Sequence, residues 1–126
     1  KDDAFDILRK VGGLEIAALV GLIIGAANNR IAIVTDGFIT TAAAALAVKI
    51  NPNIKDYIFA SHVSVECGHK FLLEFIEQKP LFDLQMRLGE GTGAALALNI
   101  IASSIAAFNE MATFSQASVS DKTSGN

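Results

Sequence analysis

The chain has 126 residues, about one domain's worth, with 52% hydrophobic but only 7% aromatic residues and a formal net charge of −3. No basic cluster is present, so nucleic acid is not an expected partner, because phosphate neutralisation needs grouped Lys and Arg. One cysteine, Cys67, excludes an internal disulfide and fits a reducing, cytoplasmic compartment.

The chain opens on Lys1-Asp2-Asp3 and runs straight into a helical pattern, with neither a signal peptide nor an initiator methionine. It reads as a piece of a longer protein. Asp2 or Asp3 is placed to cap a short helix to about Lys10, with Phe5, Ile7, Leu8 and Val11 on its apolar face. Gly12-Gly13 breaks it. A second helix from about Leu14 to Ala27 is apolar nearly all round, which predicts burial on several sides, with Gly21 and Gly25 admitting a close neighbour. Ile31–Thr35 is then a short buried strand.

Asp36-Gly37 follows at its carboxyl end, and an alanine-rich helix spans about Phe38 to Ile50. After Pro52, Ile54 to Asp56 forms one turn, and Tyr57–Ala60 is the second strand, followed at once by Ser61-His62-Val63-Ser64. Phe71, Leu72, Phe75 and Ile76 mark a helix from about Glu66 to Gln78, stopped by Lys79-Pro80. Leu81–Leu84, extending toward Leu88, is the third strand. A long helix runs from Thr92 to about Thr113, and 117–126 reads as a flexible tail.

Two apolar stretches bear on a membrane reading. Ile16–Asn29 is uncharged over only 14 residues, short of the roughly 20 a span requires. Gly91–Asn109 is uncharged over 19 but carries Asn99, Ser103 and Ser104, a mixture expected of a helix buried in soluble protein, so no membrane is expected. The alternation of strands and helices predicts an α/β fold: a parallel sheet flanked by helices, Rossmann-like and three-layered, present here as a partial domain.

Parallel strands end at one edge of their sheet, so the loops holding Asp36-Gly37, Ser61–Ser64 and Gly89–Gly93 converge. An acid, hydroxyls, backbone amides and a second acid together suit a ribose, a phosphate and a base that must lose a proton. Each also has a plainer role. Asp36 is placed to cap the helix at Phe38 and Ser64 the helix near Glu66. Glu90 is an acid near a helix start, a position worth about 0.3–1 kcal/mol. A plain cap does not call for glycine on both flanks, however, and Gly89 and Gly91 open the backbone around Glu90 to a ligand. His62, Cys67 and His69 fit no common zinc spacing; they read as a solvated histidine, a capping histidine and a packed cysteine, and no metal is expected. Gly89-Glu90-Gly91-Thr92-Gly93-Ala94 also satisfies G-x-G-x-x-A, a dinucleotide fingerprint that requires a further strand ending in an acid.

Four blocks carry a resemblance: Arg9-Lys10-Val11-Gly12-Gly13-Leu14-Glu15-Ile16-Ala17-Ala18; Asp36-Gly37-Phe38; Ala60-Ser61-His62; and Arg87-Leu88-Gly89-Glu90-Gly91-Thr92-Gly93-Ala94. In this order and spacing, the chain from about residue 2 to 119 resembles the carboxyl-terminal third of the nicotinate-nucleotide–dimethylbenzimidazole phosphoribosyltransferases. The resemblance implies transfer of phosphoribose from nicotinate mononucleotide to dimethylbenzimidazole, giving α-ribazole phosphate and nicotinate for the nucleotide loop of cobalamin. It implies that Glu90 is the general base, that Leu88 lies against the flat base, and that Asp36, Gly37, Ser64, Gly89 and Gly91 contact substrate. It further implies a homodimer with no cofactor and no metal. Residues 1–90 would close the α/β domain, and 91–116 would be a helix of a small helical domain. The family's earlier two-thirds, with the rest of the benzimidazole pocket, further phosphate-binding loops and a second acid, has no counterpart in this chain. Two other readings stand beside it: a structural fragment that completes a partner's site without activity, and a generic dinucleotide-binding α/β module.

Overall fold

The structure, a computed structural model, describes residues 3–119. Helix α1 (Ala4–Val11) begins at Asp3, whose side chain accepts the Phe5 N–H, as one of the two expected caps; Asp2 lies outside the described residues. Helix α2 (Leu14–Asn28) closes in a Schellman motif with Arg30 in the left-handed region at φ 57°. There the Ile31 N–H reaches the Ala26 carbonyl and the Arg30 N–H reaches that of Ala27. Strand β1 (Ile33–Thr35) leads into α3 (Phe38–Ile50). A 3₁₀ segment (Pro52–Tyr57) delivers the chain to β2 (Ile58–Ala60), which pairs with β1 in parallel, Val34 opposite Phe59.

The core lies where α2, α3 and α4 (His69–Phe75) pack over β1 and β2. Ala43, Ala44 and Ala47 are fully buried on α3, and their small side chains let helix backbones approach closely around Val20, Ile23, Ile33, Ile54, Ile58 and Ile76. The last element is α5 (Thr92–Glu110).

Three expectations are corrected. The third strand contracts to one parallel bridge, His62 with Phe82. Asp83 folds its carboxylate back onto the Gln85 N–H, and Gln85 enters the left-handed region at φ 52°, so the extended run cannot continue. The sheet proper is therefore two-stranded among the described residues. Second, α4 is shorter at both ends than Glu66–Gln78. Its carboxyl end is set by another Schellman motif, with Glu77 at φ 55°, the Gln78 N–H on the Leu73 carbonyl and the Glu77 N–H on that of Glu74. Third, α2 is not buried on several sides: Leu14 and Leu22 are exposed, and nothing lies near the positions a side chain would take at Gly21 or Gly25.

Helix α5 ends at Glu110, and a turn closes residues 113–119 through the Ala117 N–H on the Thr113 carbonyl and the Val119 N–H on that of Phe114. Of the expected tail, 120–126 lies outside the described residues. By length and composition α5 alone is long and apolar enough to cross a membrane among the described residues. Only Gly93 and Ala97 of it are buried.

Candidate active site

β1 and β2 run in parallel and the Phe82 bridge continues their direction, so Asp36, Ser61–Ser64 and the approach to Glu90 meet at one edge. The Asp36 carboxylate ties the edge together. One oxygen accepts the Ala94 N–H at 2.9 Å and the other the Gly91 N–H at 3.3 Å. Asp36 therefore caps α5, and not α3 as its position in the sequence predicts. The start of α3 is served from within by Thr40. Its Oγ1 accepts the N–H groups of Asp36 and Gly37 at 3.0 and 3.1 Å and donates to the Gly37 carbonyl at 3.0 Å. With that end satisfied, the Asp36 carboxylate is released to the positive end of the α5 dipole.

Gly93 makes this docking possible. A Cβ there would stand 2.1 Å from His62 Nδ1 and 2.9 Å from an Asp36 oxygen, so only glycine lets the first turn of α5 sit against the residues that follow β1 and β2. Before it, Glu90 and Gly91 take left-handed conformations in succession, φ 61° and 78°. The turn is closed by the Thr92 hydroxyl donating to the Gly89 carbonyl at 2.9 Å. For a residue bearing a Cβ this conformation costs roughly 1–2 kcal/mol. The strain falls on the one acid of the turn, as it often does where a side chain must be aimed at a ligand. Gly89 stands in open space, leaving the backbone approachable.

A cleft of about 560 Å³ opens at this edge. Asp36, Gly37, Ser64, Leu88, Gly89 and Glu90 all line it, so the structure gathers these sequence-derived candidates in one place. Gly91 does not line it; its N–H turns inward to Asp36. Met86, Leu88 and Phe38 supply apolar wall, while Glu90 and Asp36 supply carboxylates. Such a cleft suits a flat apolar base that carries an N–H.

The Ser64 loop is held from behind. The Ser64 N–H donates to His69 Nδ1 at 2.8 Å, so the ring proton sits on Nε2, which donates to the Thr41 hydroxyl at 2.9 Å. His69 is buried, and burial, with His62 nearby, pushes its pKa below the usual histidine value. Ser64 Oγ accepts the Glu66 N–H at 3.3 Å, the expected local bond, although the helix starts three residues further on. His62 is buried rather than solvated, stacked on Phe82 with ring centroids 6.2 Å apart, and Cys67 is exposed rather than packed. Among the described residues no three His, Cys, Asp or Glu side chains gather as a metal group. Nor does a strand follow α5 there, so the dinucleotide fingerprint lacks its second half.

Sequence reasoning assigned no individual role in the site to Thr40, His62, His69 or Gly93, although His62 and Gly93 lie in two of the loops expected to converge. Thr40 bonds residues three and four positions before it, a local signal that went unread; His62, His69 and Gly93 meet Phe82, Thr41 and Asp36 across tens of residues, which spacing does not reveal.

A family model described as "Phosphoribosyltransferase" matches residues 1–119. The nicotinate-nucleotide–dimethylbenzimidazole phosphoribosyltransferase of Geobacter sp. (strain M21) is 58% identical over 118 residues, covering 94% of this chain and 34% of that protein. The enzyme of the same name from Dehalococcoides mccartyi (strain CBDB1) is 55% identical over 122 residues, covering 97% and 35%. A crystal structure of the enzyme of that name from Thermus thermophilus superposes with a TM-score of 0.87 at 41% identity, over 94% of this chain and 36% of that one. The chain thus spans about a third of the length of the curated relatives it matches.

Proposed function

This chain belongs to the nicotinate-nucleotide–dimethylbenzimidazole phosphoribosyltransferase family, and from that premise we propose that its protein transfers phosphoribose from nicotinate mononucleotide to dimethylbenzimidazole. The bond from the anomeric carbon to the nicotinate nitrogen breaks, and nicotinate leaves with the electron pair. A benzimidazole nitrogen attacks the opposite face, inverting the carbon to the α-nucleotide, and the proton of the other nitrogen passes to Glu90. The observation that carries this reading is the placement of Glu90: a carboxylate on a left-handed turn, at the mouth of a cleft whose wall includes Leu88. Stripped of water beside an apolar ring, a carboxylate becomes a stronger base. Leu88 lies against the base. Asp36, Gly37, Ser64, Gly89 and Gly91 serve the ribose, phosphate and nicotinate end, Asp36 and Gly91 through the shape of the turn. No cofactor and no metal takes part.

In this reading 1–90 belong to a Rossmann-like α/β domain whose remaining strands and helices come from the rest of the protein. Residues 91–116, with α5 as their helix, belong to a small helical domain. The bare apolar faces of α2 and α5 support that division, since they await cover that this chain does not supply. The protein is a cytoplasmic homodimer. The test is direct: the complete protein, given nicotinate mononucleotide and dimethylbenzimidazole, should release nicotinate and form α-ribazole phosphate in equal amounts. Release of nicotinate without nucleotide formation, or no reaction, would contradict it.

A further inference from the structure

His62 is 4% exposed yet lines the cleft. Its ring is fixed on every side but one. Phe82 stacks on one face at an interplanar angle of 14°. Gly93 lies against the Nδ1 edge so closely that no Cβ would fit. Nδ1 is 3.0 Å from the Ser61 hydroxyl.

That hydroxyl has one proton, and it is donated to the Asp36 carbonyl at 2.8 Å. Toward His62 the Ser61 oxygen must therefore accept, which puts the imidazole proton on Nδ1. In the neutral ring Nε2 then bears the lone pair. It has no hydrogen-bond partner among the described residues, and it lies on the side of Gly37, at the cleft. A ring nitrogen that opens on a cleft without a protein partner is placed to accept from a ligand donor.

Resting on the phosphoribosyl reading, we propose that His62 is a further binding residue of the cleft, its Nε2 accepting a hydrogen bond from a ribose hydroxyl of the nucleotide substrate. Phosphate and carboxylate oxygens are themselves acceptors, and the Nε2 lone pair of the neutral ring offers them no donor. The donors a nucleotide brings are its ribose hydroxyls. The relay from Asp36 through Ser61 to His62 thus lets the residue that caps α5 also orient the ring that reads the sugar.

The experiment measures binding of nicotinate mononucleotide and of its 2′-deoxy and 3′-deoxy analogues to the complete protein by calorimetry. His62→Asn keeps an amide near the Nδ1 position and deletes Nε2; His62→Gln returns a polar atom near Nε2. The unsubstituted protein should bind one deoxy analogue about threefold to tenfold more weakly, the worth of one neutral hydrogen bond. His62→Asn should bind the parent nucleotide more weakly by that factor and no longer distinguish the two, and His62→Gln should regain part of the distinction. Discrimination preserved in His62→Asn overturns the proposal. So does a parallel loss for all three nucleotides, which marks a structural role. A deficit in His62→Asn that vanishes when the phosphate is removed assigns His62 to phosphate and also overturns it. Failure of the unsubstituted protein to bind nicotinate mononucleotide overturns the phosphoribosyl reading itself, a result distinct from binding without hydroxyl discrimination.

Discussion

The carboxylate of Asp36 accepts the backbone N–H of Ala94 at 2.9 Å across 58 positions of sequence. This bond fixes where α5 starts, and therefore where the turn bearing Glu90 stands relative to β1. Replacing Asp36 with Ala should cost about 0.5–2 kcal/mol, the worth of a helix cap, in chemical denaturation. Asp36→Asn, which keeps an acceptor and loses the charge on the helix dipole, should cost less. Equal stability of Asp36→Ala and the unsubstituted protein would show that α5 is positioned by other contacts.

Glu90→Gln keeps the shape of the side chain and removes its proton acceptor. In the complete protein kcat should fall by about 10²–10⁴, the usual worth of a general base, with binding of nicotinate mononucleotide little changed. The deficit should shrink with a base that is already ionised at the assay pH. Near-normal turnover of dimethylbenzimidazole would return Glu90 to its plainer role at a helix start.

Gly93→Ala forces a methyl to within 2.1 Å of the undisturbed His62 ring. Overpacking of this kind costs about 1–3 kcal/mol. The cost should fall when His62 is also changed to Ala, because the two residues are in contact and their effects are not additive. Additive costs in that double-mutant cycle would place the strain elsewhere.

His69 gives a pH dependence of definite sign. Its folded pKa lies below the unfolded value of about 6.5, so the unfolded chain binds more protons between the two. Stability therefore rises with pH in that window and is lost as pH falls below about 6.5. Protonation at Nδ1 also removes the acceptor that holds the Ser64 N–H. His69→Gln should flatten the slope of unfolding free energy against pH there, whatever its effect on the absolute value. Identical slopes would assign the acid sensitivity to other groups.

Much of this was legible in the residues. The helices near 4–11, 14–28, 38–50 and from Thr92 follow from apolar periodicity and from Gly and Pro punctuation, which act over a few residues and compete with little else. The strands before Asp36 and Ser61 follow from short β-branched or aromatic apolar runs, and two strands followed by helices already imply that the loops after them share an edge. The glycine-flanked acid at Glu90 stood out for the same local reason.

Tertiary structure decided the rest wherever two local alternatives were close in free energy and a distant partner chose between them. Asp36 had two helix starts within its chemistry; Thr40 satisfied the near one, and the carboxylate went to the far one. Leu81–Leu88 had the composition of a strand, but a strand needs a neighbour along its whole length, and the turn at Asp83–Gln85 left only Leu81 and Phe82 bonded to the chain beside them. The tautomers of His62 and His69 depend on hydroxyls and amides that the fold sets around each ring, as with Thr41, 28 positions before His69. Hydrophobic period and turn chemistry are properties of neighbours in sequence. Hydrogen-bond assignment at a buried edge is settled by which donors and acceptors the folded chain brings within about 3 Å, and no spacing along the chain encodes that.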